Sequence, residues 1–107
     1  MSNHTVYDLY AITYGGNKEL QASLQEVILE GWIRTNRNNG KIGFIEFNDG
    51  TTFKNVQIVY DKTKVKDFDK LSKLATGEAI SVVGDFLLTP NAKQPFEISA
   101  KEITSIG

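Results

Sequence analysis

The hydrophobic positions of this chain change their period along its length, and each period predicts a different element. Val6, Leu9 and Tyr10 follow the helical spacing of three and four residues, and Thr5 with Asp8 has the spacing of a capping box. From residue 26 onward, apolar and polar residues mostly alternate, which is typical of strands with one buried face. The pattern predicts a helix over 5–14 and strands over 26–34, 41–48, 53–60, 79–88 and 96–104.

Between the third and fourth predicted strands the period becomes helical again. One apolar stripe consists of Val65, Phe68, Leu71, Leu74 and Ala75. Gly77 would end this helix as a C-terminal cap. Turns are indicated by the cluster 36–40, by Asp49-Gly50 and by the loop 89–95. Gly31 falls inside the first strand, where glycine indicates a bend or bulge.

The element order is therefore β-β-β-α-β-β after a short N-terminal helix. That order predicts an all-β protein, a five-stranded Greek-key barrel of the OB-fold type. We expect two parts, residues 1–25 as helix and connector and residues 26–107 as the barrel. Ligands of this fold lie on strands two and three, between the loop that joins strands one and two and the loop that joins strands four and five.

Composition narrows the function classes. The chain has 107 residues, enough for one core, and contains no cysteine, which excludes disulfides and thiolate metal sites and is compatible with the cytoplasm. It has no apolar run long enough to span a membrane and no signal-peptide pattern at its start. The net charge is −1, but residues 31–45 hold Arg34, Arg37 and Lys41 and no acidic residue. We expect a local basic edge with modest, salt-sensitive affinity for nucleic acid.

Phe44 is the first candidate for a nucleic-acid contact. It shares a face with Glu46, whereas Ile45 and Phe47 occupy the opposite face, so its ring could stack on a base. A shift of register would instead place the ring in the core, and the pattern leaves both possibilities open. Arg37, in the predicted turn, could contact a phosphate or a base, or be an ordinary solvated arginine.

Polar residues of the third and fifth strands and of the last loop are further candidates. Gln57 offers both a donor and an acceptor, Glu97 could accept hydrogen bonds from base amino groups, and Lys93 and Gln94 could reach a ligand from their loop. Taken alone, each of them is explained better by ordinary surface chemistry. A catalytic pair of Glu46 and Glu97 is disfavoured because an exposed pair without a deep pocket is usually solvated. The single histidine, His4, gives no metal site or histidine-based triad.

Several motifs together resemble a known family. The chain is similar to the N-terminal domain of asparagine–tRNA ligases from about residue 27 to 106, and the closely related aspartyl enzymes share part of the pattern. The motifs are Gly31-Trp32-Ile33-Arg34-Thr35-Asn36-Arg37, Gly43-Phe44-Ile45-Glu46, Asn48-Asp49-Gly50-Thr51, Phe53-Lys54-Asn55-Val56-Gln57 and Ala92-Lys93-Gln94-Pro95-Phe96-Glu97-Ile98.

The resemblance implies an OB-fold that binds the anticodon loop of tRNA-Asn. It implies that Phe44 stacks on the central anticodon base, that Arg37 contacts the anticodon, and that Gln57 and Glu97 read bases. Members of the family continue into a class II catalytic domain, which uses ATP and magnesium, and full-length members are homodimers. The motifs of that domain are absent from these 107 residues. We therefore expect anticodon binding without a cofactor, without catalysis in this segment and without a membrane partner.

Two other readings remain open from the residues alone. The chain could be a general module for single-stranded nucleic acid, or an OB-fold that docks a protein partner through Phe44. The first would show little discrimination between bases, and the second would show binding that is insensitive to salt.

Overall fold

The fold was analysed in a computed structural model, which describes residues 2–16, 18, 26–89 and 94–106. Its elements, in chain order, are β1 (Ser2–Asn3), α1 (Val6–Gly15), β2 (Glu26–Asn38), β3 (Ile42–Asn48), β4 (Val56–Asp61), α2 (Phe68–Leu71), β5 (Ala79–Leu88) and β6 (Phe96–Ser105).

The five long strands close into a barrel. Their hydrogen-bonded order is β2–β3–β4–β6–β5, and β5 pairs back with β2. The β4–β6 pair is parallel, and the other four pairs are antiparallel. The predicted five-stranded OB-fold barrel is confirmed. The two residues of β1, which the pattern did not predict, add a short parallel pairing to β2.

The N-terminal helix was predicted nearly correctly. Thr5 caps α1, because its hydroxyl accepts a hydrogen bond from the backbone N–H of Asp8 and the Asp8 side chain accepts one in return, which completes the predicted capping box. Gly16 ends the helix in the left-handed conformation, with φ of 71°. The helix covers 6–15 rather than 5–14. Of the predicted connector 18–25, all but Lys18 lies outside the described residues.

The barrel interior follows the predicted alternation. Each long strand directs every second side chain inward, and α1 adds Val6, Leu9 and Tyr10 to the same core. The fully buried side chains of the barrel include Val27, Leu29, Ile33, Ile45, Phe47, Val56, Ile58, Tyr60, Ile80, Val82 and Ile98. This core confirms the predicted inward faces of the second and third predicted strands.

Strand β2 belongs to both halves of the barrel. It pairs with β5 through its first seven residues and with β3 through the remainder. Gly31 allows the two halves to approach closely, since a Cβ at this position would overlap the carbonyl oxygen of Asn48. The irregularity itself lies three residues later, where the register shifts between Ile33 and Thr35 and Arg34 is the extra residue.

The first predicted turn was placed too early. Residues 36–38 belong to β2, so Arg37 is a strand residue and not a turn residue. The reason is the side chain of Asn36, which accepts a hydrogen bond from the Tyr60 hydroxyl at 2.6 Å and donates to the carbonyls of Leu71 and Leu74 at 3.0 Å each. These distant partners hold an asparagine in the strand that local propensity would assign to a turn.

The second helix is much shorter than its apolar stripe predicts. Val65, Phe68 and Leu71 are buried as expected, but only 68–71 form a helix and Ala75 is exposed. Asp67 precedes this helix in a left-handed conformation with φ of 58° and makes no side-chain cap. Gly77 does not cap the helix, because its N–H donates to the carbonyl of Ile33 in β2.

The third predicted strand also begins later than expected, at Val56 instead of Phe53. The side-chain amide of Asn48 donates to the carbonyls of Thr52 and Lys54 and to Oδ1 of Asn55, and these bonds shape residues 49–55 into a broad turn. That turn anchors α1, because Oδ2 of Asp49 accepts a hydrogen bond from the backbone N–H of Val6 at 2.8 Å. Within the described ranges, no helix is both long and apolar enough to cross a membrane.

Candidate nucleic-acid interface

The outward-facing sides of β2, β3, β4 and β6 form one continuous surface on the outside of the barrel. Directly paired residues of neighbouring strands share a face, so the register reads as rows across the sheet. The first row consists of Arg37, Phe44, Val59 and Ser99, each paired with the next. We call this surface, with the second row described below, the candidate face.

The second row lies two residues away along the strands. Thr35 pairs with Glu46, and Glu46 pairs with Gln57. Glu97 continues this row, because it precedes Ile98 as Gln57 precedes Ile58, and those two isoleucines pair in parallel. The candidate face therefore combines a cationic and aromatic row with a row of amide and carboxylate groups.

Phe44 lies outside the core. Its ring is half-buried, while the flanking residues Gly43 and Ile45 are buried, so the outward register is the one that the structure adopts. The guanidinium carbon of Arg37 lies 5.4 Å from the centroid of the Phe44 ring, and the Arg37 side chain is exposed. This cation–π contact holds a positive charge beside an aromatic surface, which suits a base and its phosphate together.

Glu46, Gln57 and Glu97 place hydrogen-bonding groups along one side of this pair. Glu46 is exposed, and its Oε2 lies 3.4 Å from the Asn55 amide nitrogen that donates to it. Gln57 and Glu97 are half-buried on the outer side of the barrel. An amide offers a donor and an acceptor, and a carboxylate only accepts, so the three groups can distinguish base edges by their pattern of donors and acceptors.

Two of the remaining predicted residues lie at the margins of the face. Arg34 is exposed at the bulge beside Thr35, and Lys41 is exposed in the turn between β2 and β3. Gln94 is half-buried in the loop two residues before β6, and within the described part of the chain its side-chain oxygen is buried without a hydrogen-bond partner. Lys93 lies outside the described residues.

Sequence reasoning missed three members of the face, Thr35, Val59 and Ser99. Val59 and Ser99 each follow a predicted site residue by two positions, so the alternation that selected Gln57 and Glu97 could have found them. Thr35 could not be found in this way, because the bulge at Arg34 changes which residues of β2 point outward. Among the residues that the structure describes, no group of three or more histidine, cysteine or acidic residues is arranged to hold a metal ion.

Comparisons with known proteins agree with the geometry. The model of a family described as "OB-fold nucleic acid binding domain" matches residues 27–106. Asparagine–tRNA ligase of Clostridium acetobutylicum is 47% identical over the whole chain, and that of Acholeplasma laidlawii is 51% identical over 78% of it. The chain spans about a fifth of the length of these relatives, 22% and 18% respectively.

Solved structures show the same likeness. The asparaginyl-tRNA synthetase of Pyrococcus horikoshii, complexed with asparaginyl-adenylate, superposes with a TM-score of 0.69 at 29% identity, over 84% of this chain and 21% of that one. The resemblance inferred from the motifs is thereby confirmed. The chain belongs to the family of OB-fold nucleic acid binding domains.

Proposed function

We propose that this chain is the anticodon-binding domain of an asparaginyl-tRNA synthetase and that it binds the anticodon loop of tRNA-Asn. The observation that carries the proposal is the pairing of Phe44 with Arg37 on the outer face of the barrel. The similarity to asparagine–tRNA ligases supplies the identity of the RNA. The domain proper would be residues 26–107, with residues 1–25 as helix and connector.

Recognition would begin with stacking. A base that is turned out of the loop can lie on the half-buried ring of Phe44, and such contacts contribute about 1–3 kcal/mol per base. Arg37 already lies over the same ring, so little side-chain freedom is lost when it meets a neighbouring base or phosphate.

Base identity would be read by the second row. Gln57 can donate to and accept from the Watson–Crick edge of a base, and Glu97 can accept from an exocyclic amino group. Glu46, between Thr35 and Gln57 in the register, would accept from a further donor. Four further residues, in the loops and at the bulge, would also contact the RNA. They are Arg34, Lys41, Lys93 and Gln94.

The chemistry of aminoacylation would belong to a catalytic domain. ATP and magnesium would be its cofactors, the complete synthetase would act as a homodimer in the cytoplasm, and this segment would recognise RNA without a cofactor or a membrane.

The test is a titration of the chain with two RNA stem-loops that differ only in the loop. One carries the anticodon GUU and the other carries the same nucleotides in scrambled order. We expect tighter binding of the GUU loop, and we expect Phe44→Ala to weaken that binding by about 1–3 kcal/mol, or roughly 5- to 150-fold. Phe53→Ala is the matched control, because Phe53 is a fully exposed phenylalanine in the turn 49–55, off the candidate face.

Three outcomes would contradict the proposal. Equal affinity for both loops would indicate a general module for single-stranded nucleic acid. Affinity that is unchanged in Phe44→Ala would remove the stacking platform. Absence of RNA binding, together with salt-insensitive capture of a protein through Phe44, would indicate a docking module.

A further inference from the structure

A second charged surface lies between the β4–β5 connector and the C-terminal half of β6. It is a groove of about 460 Å³ with Leu71, Leu74 and Ile103 in its wall. Four lysines and two acidic residues line it, which leaves a surplus of two positive charges. We call it the lysine groove, and its charged residues are Lys64, Lys66, Lys70, Lys101, Asp67 and Glu102.

The four lysines are not equivalent. The ammonium group of Lys101 lies 2.6 Å from a carboxylate oxygen of Glu26 and 3.3 Å from one of Asp85. Its charge is therefore already balanced by two carboxylates, and the other lining residues leave a surplus of one positive charge. Lys64, Lys66 and Lys70 are exposed, and they are the cations of the groove that an incoming anion would meet.

The lysine groove continues directly from the candidate face. Val59 of β4 pairs with Ser99 of β6 in the first row, and two residues further along these parallel strands come Asp61 and Lys101. Two residues of a strand span about 6.6 Å. Lys101 is the extra residue of a bulge in β6, since Val83 pairs with Glu102 and Gly84 with Ala100, so the groove begins about two residues beyond the row that contains Phe44.

The turn of β2 and β3 joins the same margin. The backbone N–H of Lys62 donates to the carbonyl of Lys41 at 2.9 Å, so the connector leaves β4 beside the exposed Lys41. Cations thus lie along this margin at Arg37, Lys41 and the connector lysines, with one half-buried acid, Asp61, among them. By contrast, the second row of the face holds the acids Glu46 and Glu97 and has no cation that could bind a phosphate.

We infer that the lysine groove binds the phosphates of the RNA strand that leaves the bases stacked on the candidate face. This inference rests on the proposed function and extends it from the bases to the flanking backbone. When the bases of an RNA strand lie on the first row, its phosphates must pass over one edge of the candidate face. The edge that has both cations and an open groove is the one toward Lys66 and Lys70. Lysines on flexible stems position phosphates without reading sequence.

The experiment compares two double variants of equal charge change. Lys66→Gln with Lys70→Gln removes two cations from the groove, and Lys18→Gln with Lys73→Gln removes two exposed lysines that do not line it. Each protein is titrated with the GUU stem-loop and with an oligonucleotide of the loop alone, at salt concentrations between about 50 and 200 mM.

The expected result is a weaker salt dependence of binding for the groove variant with the stem-loop. Each phosphate contact on a single strand contributes about 0.7 to the slope of log affinity against log salt, so the groove variant should flatten the slope by about 1.4 for the stem-loop. Across that fourfold range of salt, the difference amounts to about 7-fold in affinity. The control variant should keep the wild-type slope with both RNAs, and the loop-only RNA should show a smaller change than the stem-loop, because it carries fewer phosphates beyond the stacked bases.

Two results would overturn the inference. Identical slopes for the groove variant and the control variant would show that the groove touches no phosphate. An equal loss of affinity for the loop-only RNA, the GUU stem-loop and the scrambled stem-loop would show a separate polyanion surface. Discrimination between GUU and scrambled loops by the wild-type chain, measured in the same titrations, separates this claim from the proposed function, because the proposed function requires that discrimination and the comparison of slopes does not.

Discussion

Strands β3 and β4 show two contrasting faces on the same backbone. The inward side chains, such as Ile45 and Ile58, are fully buried and almost entirely apolar. The outward side chains, such as Phe44 and Gln57, are half-buried and chemically mixed. Because neighbouring residues point to opposite faces, a change of function need not disturb the core. Stability and RNA binding should therefore separate between adjacent positions of the sequence.

Truncation of two consecutive residues tests the separation of the two faces most directly. Ile45→Ala should lower the free energy of unfolding by about 2–5 kcal/mol, because it leaves a cavity in a fully buried site. Phe44→Ala should cost about 1 kcal/mol or less, since its half-buried ring loses less contact with the core. Urea denaturation of both variants measures the difference.

Titration of the same two variants with the GUU stem-loop completes the test. Ile45→Ala, under conditions in which it stays folded, should keep the wild-type affinity, and Phe44→Ala should lose it. Equal destabilisation of the two variants would show that the candidate face also carries the fold.

Asn36 is a half-buried polar residue whose side chain bonds to the edge of the core, and removing it should have the next largest effect. Asn36→Ala would leave the Tyr60 hydroxyl and the Leu74 carbonyl without their partner, which should cost about 1–3 kcal/mol in thermal or urea unfolding. Asn38→Ala is the matched control, because the Asn38 side chain accepts its bond from Gly40 in an exposed turn. A smaller loss for Asn36→Ala than for Asn38→Ala would contradict the role assigned to this network.

The smallest expected effect concerns alkaline pH. Burial raises the pKa of Tyr60 above its ordinary value of 10.0, and the hydrogen bond to Asn36 acts in the opposite direction. Burial likewise raises the pKa of Tyr10. Above pH about 10 the unfolded chain therefore holds fewer protons than the folded one. The contribution of these tyrosines to the free energy of unfolding is fully present below this pH and should be lost as the pH rises through their pKa in the folded state.

Replacing both tyrosines tests this dependence. The free energy of unfolding of Tyr10→Phe with Tyr60→Phe should fall less steeply above pH 10 than that of the wild type, whatever its value at pH 7. Parallel curves for the two proteins would show that neither tyrosine is protected by the core.

Predictions from the sequence succeeded where a local pattern determines the structure. Alternation identified which side of β3 and β4 is buried, and the capping box of Thr5 and Asp8 identified the start of α1. Predictions failed where distant groups compete with local propensity. Asn36 remains in β2 because of Tyr60, and the second helix shortens although its apolar stripe is buried.

The candidate site divides in the same way. Phe44, Gln57 and Glu97 could be selected from face and resemblance, and the structure brings them onto one surface with Arg37. The sequence could not predict that Arg37 lies in a strand over the Phe44 ring, or that Thr35 belongs to the candidate face. Both features depend on the bulge at Arg34 and on the pairing of β2 with β3.

The element order, the buried faces and the family of this protein can be predicted from its amino-acid sequence, because side-chain period and motif spacing are properties of short segments. The rows across the sheet and the lysine groove appear only in the folded chain. Those depend on register between strands that are distant in the chain, and on a connector at 64–74 that packs beside residues 101–105. Such pairings are set by long-range hydrogen bonds and core packing, which no single segment encodes.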